Sequence, residues 1–360
     1  MASRGRRRFL QWGLAGAAVG AAWRGGAARA GEKPPSGRVA EDKSSDVKLP
    51  EGKMPMRRLG RTGVDVSLVA LGGFHIGQAV DEQTATRIIH AAIDHGINFM
   101  DNCWDYNDGK SHIWMGRALR GGYRKRVFLM TKIDGRTRAA AAAQIDQSLR
   151  DLGTDTIDLM QVHEVIRGTD PDRVFGRDGA MEAIVAAKKA GKIRFIGFTG
   201  HKSPRIHLKM LEVAAAHHFP FDTVQMPVNV MDAHRDSFER LVMPAATAAG
   251  IAVLAMKPLG GGMFFKSGPL ALKHVSPLEC LRYSMGSAAS VVITGCQSMR
   301  DLAQALEAAY KTPAMNEEER KVVLARTAPA GTDGQWEKYK VSDMFDGTAR
   351  NPHWLESAKL

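Results

Sequence analysis

Cysteine is scarce in this chain, which has three cysteines among 360 residues. Cys103, Cys280 and Cys296 form no pair at the spacing of metal ligands, and each lies in an apolar stretch or near the end of a predicted strand. An odd count in such surroundings argues against a disulfide framework, and no metal site is expected. Cys103 is best interpreted as a small buried residue, with a reactive thiol as the alternative.

The chain also lacks clustered charge. Its formal net charge is +12, but residues 1–30 contain six arginines and no acidic residue, which leaves +6 for the remainder. The remaining charges are scattered and form no basic stripe, so no nucleic-acid partner is expected. Near the N-terminus, the apolar stretch 12–23 is about half as long as the roughly 20 residues that a membrane-spanning helix needs.

The N-terminus has the features of an export signal. Arginines occupy positions 6–8 before Phe9 and Leu10, the short apolar stretch follows, and residues 28–30 read Ala-Arg-Ala. This pattern predicts export of the folded protein by the twin-arginine (Tat) machinery and cleavage after Ala30. We therefore expect a periplasmic protein with no stable membrane insertion after cleavage. A basic, disordered cytoplasmic tail is the alternative interpretation of residues 1–30.

Four segments follow from the composition along the chain. Residues 1–30 form the signal peptide, residues 31–53 form a linker rich in proline, glycine and lysine, residues 54–326 form one domain, and residues 327–360 form a tail expected to pack on that domain. Within the domain, apolar runs typical of strands buried on both faces alternate with helical patterns. The eight runs are 67–71, 97–101, 127–132, 157–163, 194–199, 223–228, 251–256 and 291–295.

Eight strands alternating with helices predict an α/β fold, the (β/α)8 or TIM barrel, with an N-terminal hairpin and a C-terminal extension. Asp81 and Ser298 are predicted helix N-caps, and Gly153 is predicted to end a helix. A doubly wound open sheet is the alternative, but it would place a G-x-G-x-x-G turn after its first strand. That strand is followed instead by L-G-G-F-H. Segments 57–59 and 64–66 predict a hairpin that closes the barrel floor.

Four chemically active side chains lie at or just past the ends of predicted strands. Asp101, Lys132 and His163 follow successive apolar runs, and Tyr106 follows Asp101 by five residues. In a parallel barrel the C-terminal strand ends converge on one face. A phenol, a lysine and a histidine there, steadied by a carboxylate, form a site that donates a proton and binds an oxyanion. A lone histidine at a strand end is more often structural, so the prediction rests on the ordered set of four.

The order of the motifs closely resembles that of the aldo-keto reductase family. R-R-L-G-R-T-G-V-D-V-S-L-V-A-L-G-G resembles the opening hairpin and first strand of that family, and G-I-N-F-M-D-N-C-W-D-Y resembles the segment around its catalytic aspartate and tyrosine. S-L-R-D-L-G-T-D-T-I-D-L-M-Q-V-H resembles its second signature. G-K-I-R-F-I-G-F-T-G, V-Q-M-P-V-N and A-M-K-P-L-G-G-G then follow in family order. The resemblance covers about residues 54–312.

The resemblance implies a role for each of the four residues. Tyr106 is the expected general acid in reduction and the base in oxidation. Its phenol would titrate near 10 in isolation, and the ammonium of Lys132 is expected to lower that pKa. Asp101 is expected to pair with Lys132, and His163 to donate a hydrogen bond to the substrate oxygen.

The resemblance also implies a nicotinamide cofactor, with NADPH expected to be modestly preferred over NADH. The chain departs from common family members at Gly200, where an asparagine is frequent, and at Met256, where a tyrosine often stacks on the nicotinamide. Gly295 and Asp301 stand where many members have a lysine and an arginine for the 2′-phosphate. The implied cofactor-binding residues are Gly73, Phe74, Asp101, Thr199, Gly200, Gln225, Met256, Lys257, Pro258, Leu259, Gly260, Gly261, Gly295, Gln297, Ser298, Arg300 and Asp301.

A reductase of small-molecule aldehydes or ketones is therefore the expected function. Two alternatives remain open: a cofactor-binding sensor or regulatory subunit with little turnover, and an internal oxidoreductase with a trapped nicotinamide. The tail carries the aromatic residues Trp336, Tyr339, Phe345 and Trp354 among polar neighbours. It can either fold over the barrel mouth or cover the side of the barrel.

Overall fold

The computed structural model describes residues 47–265, 274–311, 314–331 and 333–357. The predicted signal peptide and residues 31–46 of the predicted linker lie outside these ranges. The strands are β1 (Met56–Arg58), β2 (Asp65–Ser67), β3 (Val69–Gly72), β4 (Phe99–Asp101), β5 (Phe128–Ile133), β6 (Ile157–Val162), β7 (Ile193–Thr199), β8 (Thr223–Pro227), β9 (Ala252–Met256) and β10 (Val291–Gly295).

Strands β3 to β10 close into a parallel barrel, because each pairs with the next in sequence and β10 pairs with β3. The predicted (β/α)8 barrel is thus confirmed. The α-helices are α1 (Gly73–Ile76), α2 (Glu82–Asp94), α3 (Lys110–Ala118), α4 (Arg138–Leu152), α5 (Asp170–Phe175), α6 (Ala180–Lys189), α7 (Pro204–Ala216), α8 (Phe238–Leu241), α9 (Met243–Ala248), α10 (Pro277–Met285), α11 (Met299–Tyr310), α12 (Glu317–Thr327), α13 (Lys338–Val341) and α14 (Gly347–Arg350).

Short 3-10 turns span Gly60–Thr62, Tyr123–Arg126, Asp232–His234, Gly260–Gly262, Ala328–Ala330 and Pro352–Leu355. None of the described helices is long and apolar enough to cross a membrane. The helix ends predicted at Asp81, Ser298 and Gly153 are confirmed. The carboxylate of Asp81 accepts the amide of Thr84 at 2.7 Å, Ser298 caps α11, and Gly153 ends α4 in the left-handed conformation at a φ of 61°.

The N-terminal hairpin closes one end of the barrel. β1 and β2 pair antiparallel around the turn at Gly60–Gly63, as predicted from the sequence. Leu59 and Val66 are fully buried against barrel residues that include Phe99 and Phe128. Their burial shields the barrel interior from water at this end. The strands finish at the opposite end of the barrel, which is the end where the active sites of such barrels lie.

Candidate active site

Lys132 connects two of the predicted site residues. Its ammonium donates to the carboxylate of Asp101, to the carbonyl of Asn102 at 2.7 Å and to the phenol oxygen of Tyr106 at 3.2 Å. Neighbouring strands bring the groups together, since β4 ends at Asp101 and Lys132 is the fifth residue of β5. The side chain of Lys132 is 1 % exposed, and three acceptors satisfy its three N–H groups.

A chain of amides holds the second oxygen of Asp101. Gln225 donates its Nε2 to this oxygen at 3.0 Å, and its own Oε1 accepts Nε2 of Gln161 at 2.7 Å. The chain crosses the barrel from β4 to β8 and β6. Gln225, predicted to bind the nicotinamide, therefore also orients the aspartate that pairs with Lys132.

The pKa of Tyr106 does not follow the sequence-based expectation. Burial of the phenol raises its pKa well above 10, and the negative charge of Asp101 is the next cause. The expected lowering by Lys132 was wrong, because burial of the phenol and the charge of Asp101, which contacts the same ammonium, outweigh the effect of Lys132. Tyr106 is therefore protonated at neutral pH, which is the form needed to donate a proton.

His163 is held by a group of residues that sequence reasoning missed. Its Nδ1 lies 3.0 Å from Asp134 Oδ1, 3.3 Å from Cys103 Sγ and 4.0 Å from Asp105 Oδ1. Burial lowers the pKa of His163, but the charges of Asp134 and Asp105 and the hydrogen bond to Asp134 outweigh it, and the net pKa is raised. Burial and repulsion by Asp134 raise the pKa of Asp105 to about 6.

Two of these residues, Asp134 and Asp105, lie close in sequence to predicted site residues, and that proximity was the signal that could have identified them. Asp134 stands two residues after Lys132, and Asp105 immediately precedes Tyr106. One polar side-chain atom from each of Cys103, Asp105, Asp134 and His163 lies within 4.8 Å of the other three. The thiol of Cys103 has a pKa raised well above its ordinary value by burial, then by Asp105, so it stays protonated. This agrees with its interpretation as a small buried residue.

A buried arginine fixes the strand ends beneath His163. The guanidinium of Arg136 pairs with Asp170 at 3.0 Å, and neither side chain is exposed. The same group donates to the carbonyl oxygens of Asp134, His163 and Glu164 at 2.7 to 2.9 Å. Arg136 thereby joins the segments that follow β5 and β6.

A cavity of about 310 Å³ occupies the barrel mouth. The predicted residues that line it are Phe74, Asp101, Tyr106, Lys132, His163, Thr199, Gly200, Gln225, Met256, Lys257, Pro258, Leu259, Gly261 and Gly295. Gly73 and Gly260 are buried beside the cavity. Gln297, Ser298, Arg300 and Asp301 lie outside its lining, at the start of α11. Gly262, the last glycine of the A-M-K-P-L-G-G-G segment, lines the cavity as well. The lining also includes residues that were not predicted from the sequence: Gly72, His75, Asp105, Asn107, His201, Ile293, Thr294, Met344, Gly347 and Arg350.

The loop after β9 is suited to phosphate groups. Gly260, Gly261 and Gly262 have positive φ angles of 63°, 65° and 82°, a run that lets backbone amides approach a ligand closely. The ammonium of Lys257 lies over the rings of Phe345 and Tyr339, at 5.0 and 5.7 Å from their centroids. Burial and the charge of Lys132 lower the pKa of Lys257 to about 8. A phosphate bound here would favour the charged form of this ammonium, as the carboxylates of Glu164, Asp101 and Asp346 already do.

The start of α11 is already occupied by a carboxylate of the chain. Asp301 Oδ2 accepts the amides of Gln297 and Ser298 at 3.1 and 3.0 Å and the hydroxyl of Ser298 at 2.9 Å. A Cβ atom at Gly295 would lie 2.0 Å from Nδ1 of His75. The imidazole thus fills the space where a longer side chain at position 295 would begin. The hydroxyl of Ser298 and the two amides are therefore engaged before any cofactor binds.

The C-terminal tail lies over the barrel mouth. The carboxylate of Glu164 accepts the amides of Gly347 and Thr348, both at 2.7 Å, and the hydroxyl of Thr348 at 2.6 Å. Asp346 pairs with His201 at 2.9 Å and with Lys202 at 2.6 Å. The tail therefore narrows the entrance to the cavity and limits access of water.

The chain is similar to several known proteins. The model of the aldo/keto reductase family matches residues 68–316. The uncharacterized oxidoreductase YrpG of Bacillus subtilis (strain 168) is 31% identical over 235 residues, which are 60% of this chain and 68% of the relative. A 6-dehydroglucose reductase of Novosphingobium aromaticivorans is 29% identical over 237 residues, 61% of this chain and 72% of that protein.

A solved structure has the same fold. The holo form of aldo-keto reductase AKR11C1 from Bacillus halodurans aligns with a TM-score of 0.65 at 23% identity, and the alignment covers 79% of this chain and 99% of that one. The family match spans the barrel from the residue before β3 to the residue before α12. This chain belongs to the aldo/keto reductase family.

Proposed function

We propose that this protein reduces an aldehyde or a ketone, with a nicotinamide as hydride donor and Tyr106 as the general acid. Nicotinamide-dependent carbonyl reduction is the general activity of the family. The observation that carries the proposal is the hydrogen-bonded series from Asp101 through Lys132 to Tyr106, beside His163 in one cavity. The oxidised sugars suggested by the name of the Novosphingobium relative are the first substrates to test.

Each residue has a defined part in this reaction. The nicotinamide, when bound, supplies the hydride that the carbonyl carbon accepts. Tyr106 transfers its phenol proton to the carbonyl oxygen, and Lys132 stabilises the phenolate that remains. Asp101 holds Lys132 in place through their direct contact. His163 binds the substrate oxygen, and the tail limits water at the site.

Lys257 and the three glycines after it are suited to hold the pyrophosphate of the cofactor. We propose NADP(H) as the cofactor, with a small preference over NAD(H). Arg300, the second residue of α11, attracts a 2′-phosphate, whereas the carboxylate of Asp301 repels it and already uses Ser298. The two effects oppose each other, so the discrimination is weak.

Tyr106→Phe tests the proposal. Loss of the proton donor is expected to slow hydride transfer by about 10²- to 10⁴-fold. The fold should persist, because Lys132 keeps its bonds to Asp101 and Asn102. The measurement is a single-turnover assay of NADPH oxidation with a panel of aldehydes and oxidised sugars. Tyr123→Phe is the matched control, since that hydroxyl donates to the exposed carboxylate of Asp94 at the surface. A near wild-type rate in Tyr106→Phe would remove Tyr106 from the mechanism.

The tail favours a second candidate, an internal oxidoreductase that keeps its nicotinamide between turnovers. Hydrogen bonds hold residues 346–348 across the barrel mouth, and the ring of Phe345 packs on the ammonium of Lys257 in the loop after β9. Cofactor exchange would require these contacts to open. Stopped-flow measurement of cofactor release separates the candidates: release faster than turnover supports the simple reductase, and release far slower than turnover supports the trapped cofactor. A trapped cofactor with negligible turnover would instead indicate a sensor or regulatory subunit.

We also propose that the protein works in the periplasm after twin-arginine export. The support is the Arg6–Arg8 sequence, the short apolar stretch and the Ala-Arg-Ala site. Replacing Arg6 and Arg7 by lysine is expected to leave the folded protein in the cytoplasm, as measured by cell fractionation. Unchanged arrival in the periplasm would contradict the twin-arginine route.

A further inference from the structure

The ring of His163 has both of its hydrogen-bond partners at one nitrogen. Within the described part of the chain, Asp134 and Cys103 both face Nδ1. The thiol of Cys103 donates to the carbonyl of Lys132 at 3.6 Å, which leaves its sulfur as an acceptor toward the ring. A carboxylate and an accepting sulfur both require a proton on Nδ1. That nitrogen is therefore N–H whatever the state of the rest of the ring.

A proton on Nδ1 constrains what Nε2 can do. A neutral imidazole protonated at Nδ1 has only a lone pair at Nε2 and cannot donate to a carbonyl oxygen. His163 lines the cavity, so Nε2 is the nitrogen available to the substrate. To bind the substrate oxygen as a donor, the ring must carry both protons.

We propose that His163 acts as an imidazolium and that Asp134 is the positioning residue that keeps it doubly protonated. The proposal rests on the carbonyl reduction proposed above and specifies how its substrate oxygen is held. During reduction, hydride adds to the carbonyl carbon, and the proton on the product oxygen comes from Tyr106. His163 keeps both protons and returns unchanged. A charged donor strengthens its bond as negative charge develops on that oxygen, since charge-assisted hydrogen bonds are about twice as strong as neutral ones.

The surroundings of Asp134 explain how it can do this. Its second oxygen accepts the indole N–H of Trp104 at 2.6 Å, and its backbone amide donates to Gln144 at 2.8 Å. Gln144 in turn donates to the carbonyls of Trp354 and Ser357 in the tail. The carboxylate is thus fixed in direction and kept away from water. A fixed carboxylate in contact with Nδ1 selects both the orientation and the charge of the ring.

Other groups around the ring also favour its protonated form. Their charges are predominantly negative, which favours the imidazolium, and the pKa of His163 is raised despite burial. The charged groups are Asp134 after β5, Asp105 after β4 and Glu164 after β6. The neutral side chains of Cys103 and Tyr106 also face the ring, and Arg136 donates to the backbone carbonyl of His163. Asp105, with a pKa of about 6, loses part of its charge in mildly acidic solution. A pH series must therefore be compared between wild type and variant, because Asp105 titrates in both.

Nuclear magnetic resonance of the histidine ring tests the proposal without turnover. The ¹⁵N and ¹³C shifts of His163 should report an imidazolium at pH 6.5, with a midpoint above that value, and Asp134→Asn should lower the midpoint. Asp94→Asn is the control, because this exposed carboxylate pairs with Arg126. It should leave the titration midpoint of His163 unchanged. A neutral ring at pH 6.5 in the wild-type protein would overturn the proposal, even if Asp134→Asn failed to fold.

Kinetics supply a second measurement. At pH 7.5, Asp134→Asn is expected to reduce kcat by about 10²-fold with little change in KM, the scale of losing one oxyanion donor. The deficit relative to wild type should shrink as the pH falls, because acid restores the second proton. An equal deficit at every pH would indicate a merely structural role and overturn the proposal. An imidazolium in a protein that reduces no carbonyl would contradict the proposed function instead.

Discussion

Glu164 fastens the tail over the cavity, and Glu164→Gln is expected to loosen it. The carboxylate accepts three donors from Gly347 and Thr348. Glutamine keeps one accepting oxygen but turns an NH₂ group toward at least one of these donors. An unsatisfied buried donor costs about 1–3 kcal/mol, and hydrogen bonds to a charge are worth roughly 1.5–3 kcal/mol. We take about 3 kcal/mol as the loss, which corresponds to roughly a 10²-fold larger open population of the tail.

Hydrogen exchange at the two tail amides measures this directly. The amides of Gly347 and Thr348 should exchange roughly 10²-fold faster in Glu164→Gln, because local opening governs their exchange. Amides in the barrel strands should keep their rates. Bound cofactor should also leave faster if the tail limits its release.

The matched control is Glu356→Gln. This exposed tail glutamate pairs with Arg173 at the surface, where an ion pair is worth about 0–1 kcal/mol. Its substitution should leave the exchange of Gly347 and Thr348 unchanged. Wild-type exchange at these amides in Glu164→Gln would refute the reasoning, because it would mean that the other tail contacts alone hold the segment closed.

Three further changes test other parts of the structure. Burial lowers the pKa of His207 to about 4, so the unfolded chain binds an extra proton below pH 6.5. The free energy of unfolding should therefore fall by about 3 kcal/mol between pH 6.5 and 4. Urea titrations should show that His207→Gln lacks this loss of stability. Asp170→Asn leaves Arg136 uncompensated and should cost about 3–5 kcal/mol in denaturant unfolding, whereas Asp172→Asn, at an exposed pair, should cost less than about 1 kcal/mol. Asp301→Asn should tighten NADPH binding about fivefold in fluorescence titrations, which is the scale of one charge at a helix start. The affinity for NADH should stay unchanged. Weaker NADH binding would instead place Asp301 on the ribose hydroxyls.

The barrel and the four strand-end residues could be predicted because their signals are local. A strand buried on both faces needs a continuous apolar run, and parallel strands end on one face, so residues after such runs converge. The strand limits shifted by at most two residues, since pairing with neighbours sets them. Ser67 was predicted in the first barrel strand but pairs with Met56 in the hairpin. Helix caps at Asp81 and Ser298 were likewise determined within a few residues of sequence.

Contacts between distant segments could not be predicted in this way. Glu164 and Thr348 are 184 positions apart, and nothing in either neighbourhood indicates the other. The same holds for the support that Gln144 gives to Asp134 and the tail.

The sequence by itself determined the barrel, its plug and the identity of the four residues at its mouth, because periodicity and strand ends are properties of short segments. Only the tertiary structure decided their protonation and access. The phenol of Tyr106 resists ionisation because burial and Asp101 outweigh Lys132, and His163 favours a second proton because Asp134 and Asp105 surround it. Charge depends on the sum of burial and neighbours in space, and that sum exists only once the chain has folded.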